Sequence, residues 1–252
     1  MKCISLKCQT IDELYVDFAE AKQLADLVEI RLDHFEESVW QDLKALFSEA
    51  RVLLSVGPKK ATVDSYRRLA SLGPHFLDIP HDMPHELFSE LKGTVGLIAS
   101  YHNYLETPED LESIVQALTA RPADLYKCVT FAHNGLDCLR MLWQVKQQKQ
   151  FIGFCMGQEG IATRILAPKY GSAIEYLALD GKVTAPGQLS FGARVAGKDS
   201  AVYAIVGTPT VDHTYNEHDA VYVTLSLNQS MMARATSYFA ELDFRQGCQG
   251  LL

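Results

Sequence analysis

Short apolar runs alternate along the chain with longer segments that have the hydrophobic periodicity of helices. Helical periodicity covers, for example, residues 11–24, 39–50 and 108–120. A regular order of short strands and longer helices predicts a parallel sheet covered by helices. The eight strand candidates start about 20 to 30 residues apart, near Cys3, Leu27, Val52, His75, Thr94, Asp124, Phe151 and Ile174.

Eight strand–helix units favour an α/β fold of the (β/α)8 TIM barrel type. Such a barrel needs about 200 to 250 residues, and the chain has 252. The structural alternative is an open doubly wound sheet, which usually carries a glycine-rich phosphate loop after its first strand. Here that position reads Cys8-Gln9-Thr10 and contains no glycine. We therefore predict a closed barrel.

The pattern changes near Gly192–Ser200, a polar, glycine-containing stretch that is typical of a linker. Two further strands, 201–206 and 220–227, and a helix over 229–242 are predicted after it. A segment of about 50 residues does not easily bury a core alone. We expect a barrel at 1–195, and at 196–252 a linker and a partial α/β segment on which the barrel's stability hardly depends. An exposed partial domain also suggests a homodimer, as a hypothesis.

The charge balance disfavours a nucleic-acid partner. The formal net charge is -8, and basic residues cluster only in short pairs such as Lys59-Lys60 and Arg67-Arg68. The first residues lack an apolar signal-peptide core, and no apolar stretch approaches the roughly 18 residues of a membrane span. The expectations are a cytoplasmic protein, no membrane contact, and a small-molecule partner.

The cysteines predict neither a metal site nor a disulfide framework. There are six, with no Cys-x-x-Cys pair and no Cys/His metal spacing. Cys8, Cys128 and Cys155 lie in apolar strand-like runs, where a free cysteine packs as a small apolar residue. This usage is typical of a reducing compartment.

Lys127 is the strongest indication of chemistry, because it stands alone in the apolar run of the sixth strand. A buried ammonium is costly, so such a lysine must be paired, deprotonated or used covalently. A desolvated amine has a lowered pKa and can attack a carbonyl to form a Schiff base. The alternative is a lysine that points outward and reaches solvent.

Other polar residues stand where the strands of a barrel end, the position of active sites in this fold. Glu29, Arg31 and Asp33 share one face of the second strand by their period-two spacing; alternatively, this is an exposed edge face in which Arg31 pairs with an acid. The candidates on later segments are Asp78, His102, Met156, Arg164 and Gln188. A histidine after a strand end suits proton transfer near neutral pH, although a lone histidine is often structural.

The order and spacing of these residues resemble the type I 3-dehydroquinate dehydratases of the shikimate pathway. The resemblance covers nearly all of residues 1–192 and is carried by five motifs. These are Glu29-x-Arg31-x-Asp33, Ser100-Tyr101-His102, Lys127, Met156-Gly157-x-x-Gly160-x-x-x-Arg164 with Gly171-Ser172, and Ala185-Pro186-Gly187-Gln188.

The resemblance implies a stepwise dehydration of 3-dehydroquinate to 3-dehydroshikimate without a metal or organic cofactor. Lys127 would form the Schiff base and His102 would serve as base and then acid. Arg164 and Gln188 would hold the substrate carboxylate and a hydroxyl, and Glu29 and Arg31 the ring hydroxyls. Met156, Tyr176 and Asp78 would complete the substrate-binding set.

Four positions depart from the pattern of this family. Gly57 stands in place of an arginine, Ala61 in place of the glutamate that orients the histidine, Pro80 in place of an acid, and Phe154 in place of a methionine. A histidine that lacks its orienting carboxylate loses tautomer control and basicity, so reduced activity is expected. Lys59 or Lys60 could supply the positive charge missing at position 57.

The tail resembles the start of a shikimate dehydrogenase substrate domain, as in fusions of the two enzymes. The resembling runs are residues 203–209 and 220–223, whereas the serine pair of that family is not evident at 212–216. No dehydrogenase activity is assigned to the tail. Two rival functions stay open: another Schiff-base barrel such as a class I aldolase, and a non-catalytic barrel that acts as a binding or assembly module.

Overall fold

The structure is a computed structural model that describes residues 1–193, 195–207 and 220–245. The tail positions 208, 209 and 212–216, on which the comparison with shikimate dehydrogenase partly depends, lie outside the described residues. Most of the described chain forms one curled sheet of parallel strands with helices on its outer side. This is a TIM-barrel-like α/β fold, as the sequence predicts.

The strands of the large sheet follow one another around the curl in nearly sequential order. Strand β1 lies beside both β2 and β8, so the first and eighth units are neighbours. The short ninth strand extends the sheet beyond β8. The bounds are β1 Lys2–Leu6, β2 Leu27–Arg31, β3 Val52–Ser55, β4 Phe76–Pro80, β5 Gly96–His102, β6 Leu125–Phe131, β7 Phe151–Met156, β8 Glu175–Ala178 and β9 Leu189–Ser190.

The barrel has a seam between β7 and β8. In the described part of the chain these two strands share no ladder of hydrogen bonds. One backbone bond crosses the seam at its lower end, where Ala173 N–H donates to Phe151 O at 2.8 Å. Higher up, the rings of Phe154 on β7 and Tyr176 on β8 meet with centroids 5.9 Å apart. Side-chain packing therefore closes the upper seam.

Six helices accompany the barrel, and their starts follow from local sequence. Side chains of Thr10, Thr62 and Asn134 accept hydrogen bonds from the backbone at the first turns of α1, α2 and α5. Gly73 ends α2 with a φ of 77°, a backbone conformation that suits glycine. The bounds are α1 Ile11–Leu24, α2 Val63–Leu72, α3 His85–Leu91, α4 Leu111–Thr119, α5 Gly135–Gln147 and α6 Ile161–Leu166.

Two predicted helices differ from the structure. The segment expected as a helix over 39–50 is a 3₁₀ helix, Glu37–Ser48. Its buried residues Trp40, Leu43 and Leu46 recur every third position, which matches three residues per turn. The helix expected from position 108 begins at Leu111 instead, because the Thr107 hydroxyl is turned inward and donates to Phe131 O at 3.0 Å.

The apolar core has two parts. The larger fills the space between the sheet and the helices, with Trp40, Tyr66 and Phe88 among its fully buried side chains. The smaller fills the barrel interior and includes Cys3 and Val129. Cys3, Cys8, Cys128, Cys138 and Cys155 are buried and free, in agreement with the prediction of small core residues.

The described tail packs against the barrel. Parallel strands β10 (Ala201–Val206) and β11 (Ala220–Leu225) form a second sheet, followed by helix α7 (Gln229–Glu241). Tyr170 Oη donates to Leu242 O at 2.8 Å, and Gly135 N–H donates to Ser226 O at 2.8 Å. The predicted linker is also attached, since Ala196 is fully buried.

Among the described residues, no helix combines the length and the apolar character needed to cross a membrane.

Candidate active site

A cavity of about 680 Å³ opens where the strands of the barrel end. The last residues of six strands line it: Arg31, Ser55, Pro80, His102, Phe131 and Met156. This is the face on which TIM barrels carry their active sites, and the volume suits a small organic ligand. All nine residues predicted from the sequence line this cavity, namely Glu29, Arg31, Asp78, His102, Lys127, Met156, Arg164, Tyr176 and Gln188.

Lys127 lies inside the barrel, where its side chain is 7% exposed. Its Nζ donates to Asp78 Oδ2 at 2.9 Å and lies 3.9 Å from Glu29 Oε1. The ring of Tyr176 lies beneath it, with 4.4 Å between Nζ and the ring centroid. Two carboxylates and an aromatic face therefore surround a position that favours a cationic nitrogen. The outward-pointing alternative for Lys127 is wrong.

The predicted lowering of the Lys127 pKa is also wrong for the unliganded pocket. Burial lowers this pKa, but the carboxylates of Asp78 and Glu29 outweigh burial and raise it above the usual lysine value. Burial raises the pKa of Asp78, but the nearby Lys127 and His102 outweigh burial. The pKa of Asp78 therefore lies below the usual value. Lys127 and Asp78 thus form an ammonium–carboxylate pair near neutral pH.

Two serines support the carboxylates. The Ser5 hydroxyl donates to Glu29 Oε2 from the neighbouring strand, where Ser5 and Glu29 are register partners. A hydrogen bond from Ser100 contributes to the lowered pKa of Asp78. Sequence reasoning missed Ser5, although it is a polar residue two positions after the inward-facing Cys3 and so shares its face of β1.

His102 ends β5 and faces the cavity opening. Its side chain is exposed to solvent through this opening. Desolvation by the surrounding cavity wall, and then the positive charge of Lys127, lower the His102 pKa to about 4. The Tyr104 ring stacks alongside at a centroid distance of 6.0 Å and an interplanar angle of 12°. His102 is therefore neutral at pH 7, the form in which an imidazole accepts a proton.

The two unusual positions after β3, Gly57 and Ala61, both line the cavity, whereas neither Lys59 nor Lys60 is among its lining residues. Gly57 packs against the Asp33 carboxylate, which accepts from Arg31 Nε at 2.9 Å. Lys60, one of the two expected substitutes, donates instead to Phe35 O at 2.5 Å. Among the described residues, none donates or accepts a side-chain hydrogen bond with His102, in keeping with an alanine at position 61.

Arg164 supplies a buried positive charge on the opposite wall. It is 6% exposed, and burial lowers its pKa to about 10, so the guanidinium stays charged at pH 7. The guanidinium lies over the Phe154 ring, 4.2 Å from the centroid, and no carboxylate of the described chain forms an ion pair with it. Its Nε is buried without a hydrogen-bond partner. Such a group is suited to bind an anionic ligand.

Two predicted substrate-binding residues have restricted access to a ligand. The Gln188 side chain accepts from Thr184 N–H at 2.8 Å and donates to Leu177 O at 3.0 Å, so its amide stabilises the loop that carries it. The Tyr176 hydroxyl is buried below the cavity, and the ring is the part that the cavity reaches. Met156 ends β7 and contributes an apolar surface.

One group of possible metal donors lies beside this cavity. Ligand atoms of Cys8, Glu13 and Asp17 fall within 4.8 Å of one another. Asp17 pairs with Lys182 at 2.6 Å, and Glu13 accepts from Gln9 N–H at 2.8 Å. These contacts already give the acids structural partners, so we assign no metal to them.

The fold and the site together define a class of protein: a TIM-barrel-like protein with a buried lysine between two carboxylates. A family model described as type I 3-dehydroquinase matches residues 2–193. The match covers well over half of the chain, and the chain belongs to this family.

Relatives agree with this assignment, and a solved structure agrees with the fold. The bifunctional 3-dehydroquinate dehydratase/shikimate dehydrogenase of Arabidopsis thaliana is 30% identical over 257 residues, which is 90% of this chain and 42% of that protein. The 3-dehydroquinate dehydratase of Dehalococcoides mccartyi is 30% identical over 66% of this chain and 82% of its own. The type I enzyme structure from Clostridium difficile has a TM-score of 0.65 at 22% identity, over 75% of this chain and 87% of that one. This chain spans less than half the length of the Arabidopsis protein.

Proposed function

We propose that this chain is a 3-dehydroquinate dehydratase that eliminates water from its substrate through a Schiff base on Lys127. The observation that carries the proposal is the position of Lys127. Its ammonium lies between Asp78 and Glu29 at the base of the cavity, and the six other predicted residues line the same space. The names of the relatives support the proposal, since they include 3-dehydroquinate dehydratases and a shikimate biosynthesis protein of Chlamydia pneumoniae.

In the first step the Lys127 Nζ adds to the carbonyl carbon of the substrate ketone, and the ketone oxygen leaves as water to give an imine. The amine must first lose a proton, which the paired carboxylates oppose because they stabilise the ammonium. The same carboxylates and the Tyr176 ring then favour the protonated imine, which also carries a positive charge. This charge withdraws electrons and acidifies the adjacent C–H bond.

His102 then transfers the proton. Its neutral imidazole removes the acidified hydrogen, and an enamine forms. The imidazolium delivers the proton to the departing hydroxyl, which leaves as water, and hydrolysis of the imine frees Lys127. Desolvation and the charge of Lys127 keep the His102 pKa at about 4, so the base is present at neutral pH but is weak.

The remaining residues would hold the substrate. Arg164 would bind the carboxylate, because its guanidinium is charged and has no ion-pair partner among the described side chains. Glu29 and Arg31 would contact ring hydroxyls. Met156 and the Tyr176 ring would pack against the ring carbons. The role predicted for Gln188 requires its amide to exchange the bonds to Thr184 and Leu177 for the ligand.

We further propose that the tail corresponds to the beginning of the shikimate dehydrogenase part of a bifunctional enzyme. The alignment with the Arabidopsis protein supports this, since it covers 90% of the chain, more than residues 2–193 supply. The parallel pair β10–β11 followed by α7 supports it as well. The cytoplasmic location and the homodimer stay predictions from the sequence; sedimentation of the full chain would test the dimer.

The test of the function is the absorbance of an enone carboxylate after addition of 3-dehydroquinate. We expect a rise with the wild-type chain and none with Lys127→Ala. Borohydride added during turnover should attach the reduced substrate to the wild-type protein, and peptide mass spectrometry should find it on Lys127.

Lys22→Ala is the matched control, because Lys22 also pairs with an acid, Glu49 at 2.5 Å, but on the outer surface. It should retain both signals. Trapping without an absorbance rise would favour the rival Schiff-base barrel, such as an aldolase. Neither signal in the wild-type chain would favour the non-catalytic binding module.

A further inference from the structure

We infer that Phe154 is a positioning residue that holds the Arg164 guanidinium by its ring face and thereby sets how tightly the pocket binds the substrate carboxylate. The inference rests on the proposed function, and it concerns the residue that stands where the family resemblance implies a methionine. Its basis is the pair of cation–aromatic contacts on the two sides of the barrel seam.

Among the described residues, no carboxylate forms an ion pair that would orient Arg164. Its guanidinium is buried, yet in the described chain no carboxylate lies within ion-pair distance, and Nε has no partner. The Phe154 ring, 4.2 Å from the guanidinium carbon, is the cation-binding contact that the structure provides. A planar guanidinium stacked on a ring keeps its N–H groups in plane and free for a ligand.

The ring of Phe154 is itself fixed. It contacts the Tyr176 ring across the β7–β8 seam with centroids 5.9 Å apart, and Lys127 Nζ lies over the Tyr176 ring at 4.4 Å. Two adjoining aromatic rings thus separate two buried cations. One cation is the proposed attachment point of the ketone and the other the proposed partner of the carboxylate. The aromatic pair therefore fixes the distance between the two cations, and a ligand that binds both must have its ketone and its carboxylate at a matching distance.

The chemistry of this arrangement defines a ligand class. A cyclic ketone that carries a carboxylate can engage both cations, whereas a ketone without an anionic group engages Lys127 alone. A carboxylate on Arg164 would replace the missing counter-charge of a buried guanidinium, which is a large gain in a desolvated pocket. Loss of the Phe154 ring should therefore penalise the carboxylate-bearing ligand selectively.

The experiment compares the wild-type chain with Phe154→Met and Phe154→Tyr. Methionine keeps the size and apolar character but lacks the ring face. We expect KM for 3-dehydroquinate to rise about threefold to tenfold in Phe154→Met, as for the loss of a buried cation–π contact, with kcat nearly unchanged. Phe154→Tyr keeps the ring and should stay close to wild type.

Phe88→Met is the matched control, because Phe88 is a buried phenylalanine under another arginine, Arg121 at 5.6 Å, outside the cavity. It should lower thermal stability about as much as Phe154→Met without changing KM. An equal KM in wild type and Phe154→Met would overturn the inference, and so would an equal rise in Phe154→Tyr.

Calorimetry in the Lys127→Ala background gives a readout that is independent of turnover. There Phe154→Met should weaken binding of 3-dehydroquinate and leave binding of its carboxylate-free analogue unchanged. Equal weakening of both ligands would assign Phe154 a packing role and overturn the inference. If the wild-type chain neither turns over nor is trapped by borohydride, the proposed function itself fails, and that result is distinct from an unchanged KM.

Discussion

The Asp33 carboxylate occupies the space in which a side chain at position 57 would lie. A Cβ atom added to Gly57 would collide with Asp33 Oδ1. The same carboxylate accepts a hydrogen bond from Arg31 Nε at 2.9 Å. The absence of a side chain at position 57 and the orientation of Arg31 at the cavity wall are therefore linked through Asp33.

Gly57→Ala should weaken substrate binding by displacing Asp33. The backbone φ of Gly57 is -68°, so alanine introduces no backbone strain. The added methyl group pushes the carboxylate away from Arg31 and releases the guanidinium. The loss of roughly one hydrogen bond should raise KM about twofold to fivefold, with kcat nearly constant. Steady-state kinetics with 3-dehydroquinate measure this change.

Gly192→Ala is a control, since a Cβ there meets no atom within 4 Å. The double variant Gly57→Ala with Asp33→Asn tests the coupling. If Asp33 transmits the effect, the two substitutions together should cost less than the sum of their separate effects. Strict additivity would contradict the link.

Asp78→Asn should shift the pH profile of kcat/KM to lower pH. Lys127 reacts as a neutral amine, and in the wild-type chain Asp78 and Glu29 raise its pKa despite burial, so kcat/KM should rise with pH through the neutral range. When the negative charge of Asp78 is removed, less opposes the lowering effect of burial, and the Lys127 pKa falls. The reactive amine is then present at lower pH, and the plateau should begin there.

The measurement is kcat/KM from about pH 5 to about pH 10, a range that lies above the His102 transition. The wild-type value should still rise at the upper end of this range, because the Lys127 pKa lies above the usual lysine value, whereas the value for Asp78→Asn should level off at lower pH. Asp64→Asn removes a surface acid that pairs with Arg67 at 3.4 Å, and should leave the profile in place. A profile of Asp78→Asn that rises to the upper end of the range as the wild-type profile does would show that Asp78 does not control the amine.

Ala61→Glu should increase turnover, because it adds an acid to the wall of the cavity that His102 also lines. A neighbouring carboxylate stabilises the imidazolium, so the His102 pKa should rise from about 4 toward the usual histidine value. A better-oriented and more basic imidazole should raise kcat about tenfold. Since the neutral base is lost as pH falls through its pKa, the acid limb of the profile should move to higher pH.

Ala61→Gln separates charge from shape in this prediction. The amide has nearly the size of the acid but no charge, so it should leave the acid limb where it is. The same upward shift in Ala61→Gln would rule out an electrostatic effect.

Much of the barrel and of the site was predictable because both depend on strand periodicity. Lys127 was identified as a lone charged residue in a β-strand, and Glu29 and Arg31 by their common face. Their surroundings were not predictable, because the raised pKa of Lys127 depends on Asp78, 49 residues away in sequence. The same holds for Phe154, whose partner Arg164 approaches from a helix and not along a strand.

The tail shows a second limit of the sequence analysis. A short strand–helix segment after a polar stretch is typical of an independent unit, and the sequence gives no measure of its contacts. In the structure, the Trp143 and Tyr238 rings meet edge to face at 6.4 Å between α5 and α7. Lys146 also pairs with Asp243 at 3.2 Å. These contacts oppose the expectation that the barrel is nearly independent of the tail, which stays a prediction from the sequence.

Tyr170→Phe should destabilise the protein by about 1 kcal/mol, the usual contribution of one hydrogen bond. The Tyr170 hydroxyl donates to Leu242 O at 2.8 Å, from the segment after α6 to the end of α7, and it is the only polar group that the substitution removes.

Deleting residues from 200 onward should cost more, because it also uncovers apolar surface of α5 that the tail buries. Urea denaturation monitored by circular dichroism measures both changes. Tyr15→Phe is the control, since Tyr15 is 41% exposed and its hydroxyl is 3.5 Å from Asp42 O. If deletion of the tail left the unfolding midpoint unchanged, the contacts between α5 and α7 would contribute nothing to stability, and the barrel would be independent after all.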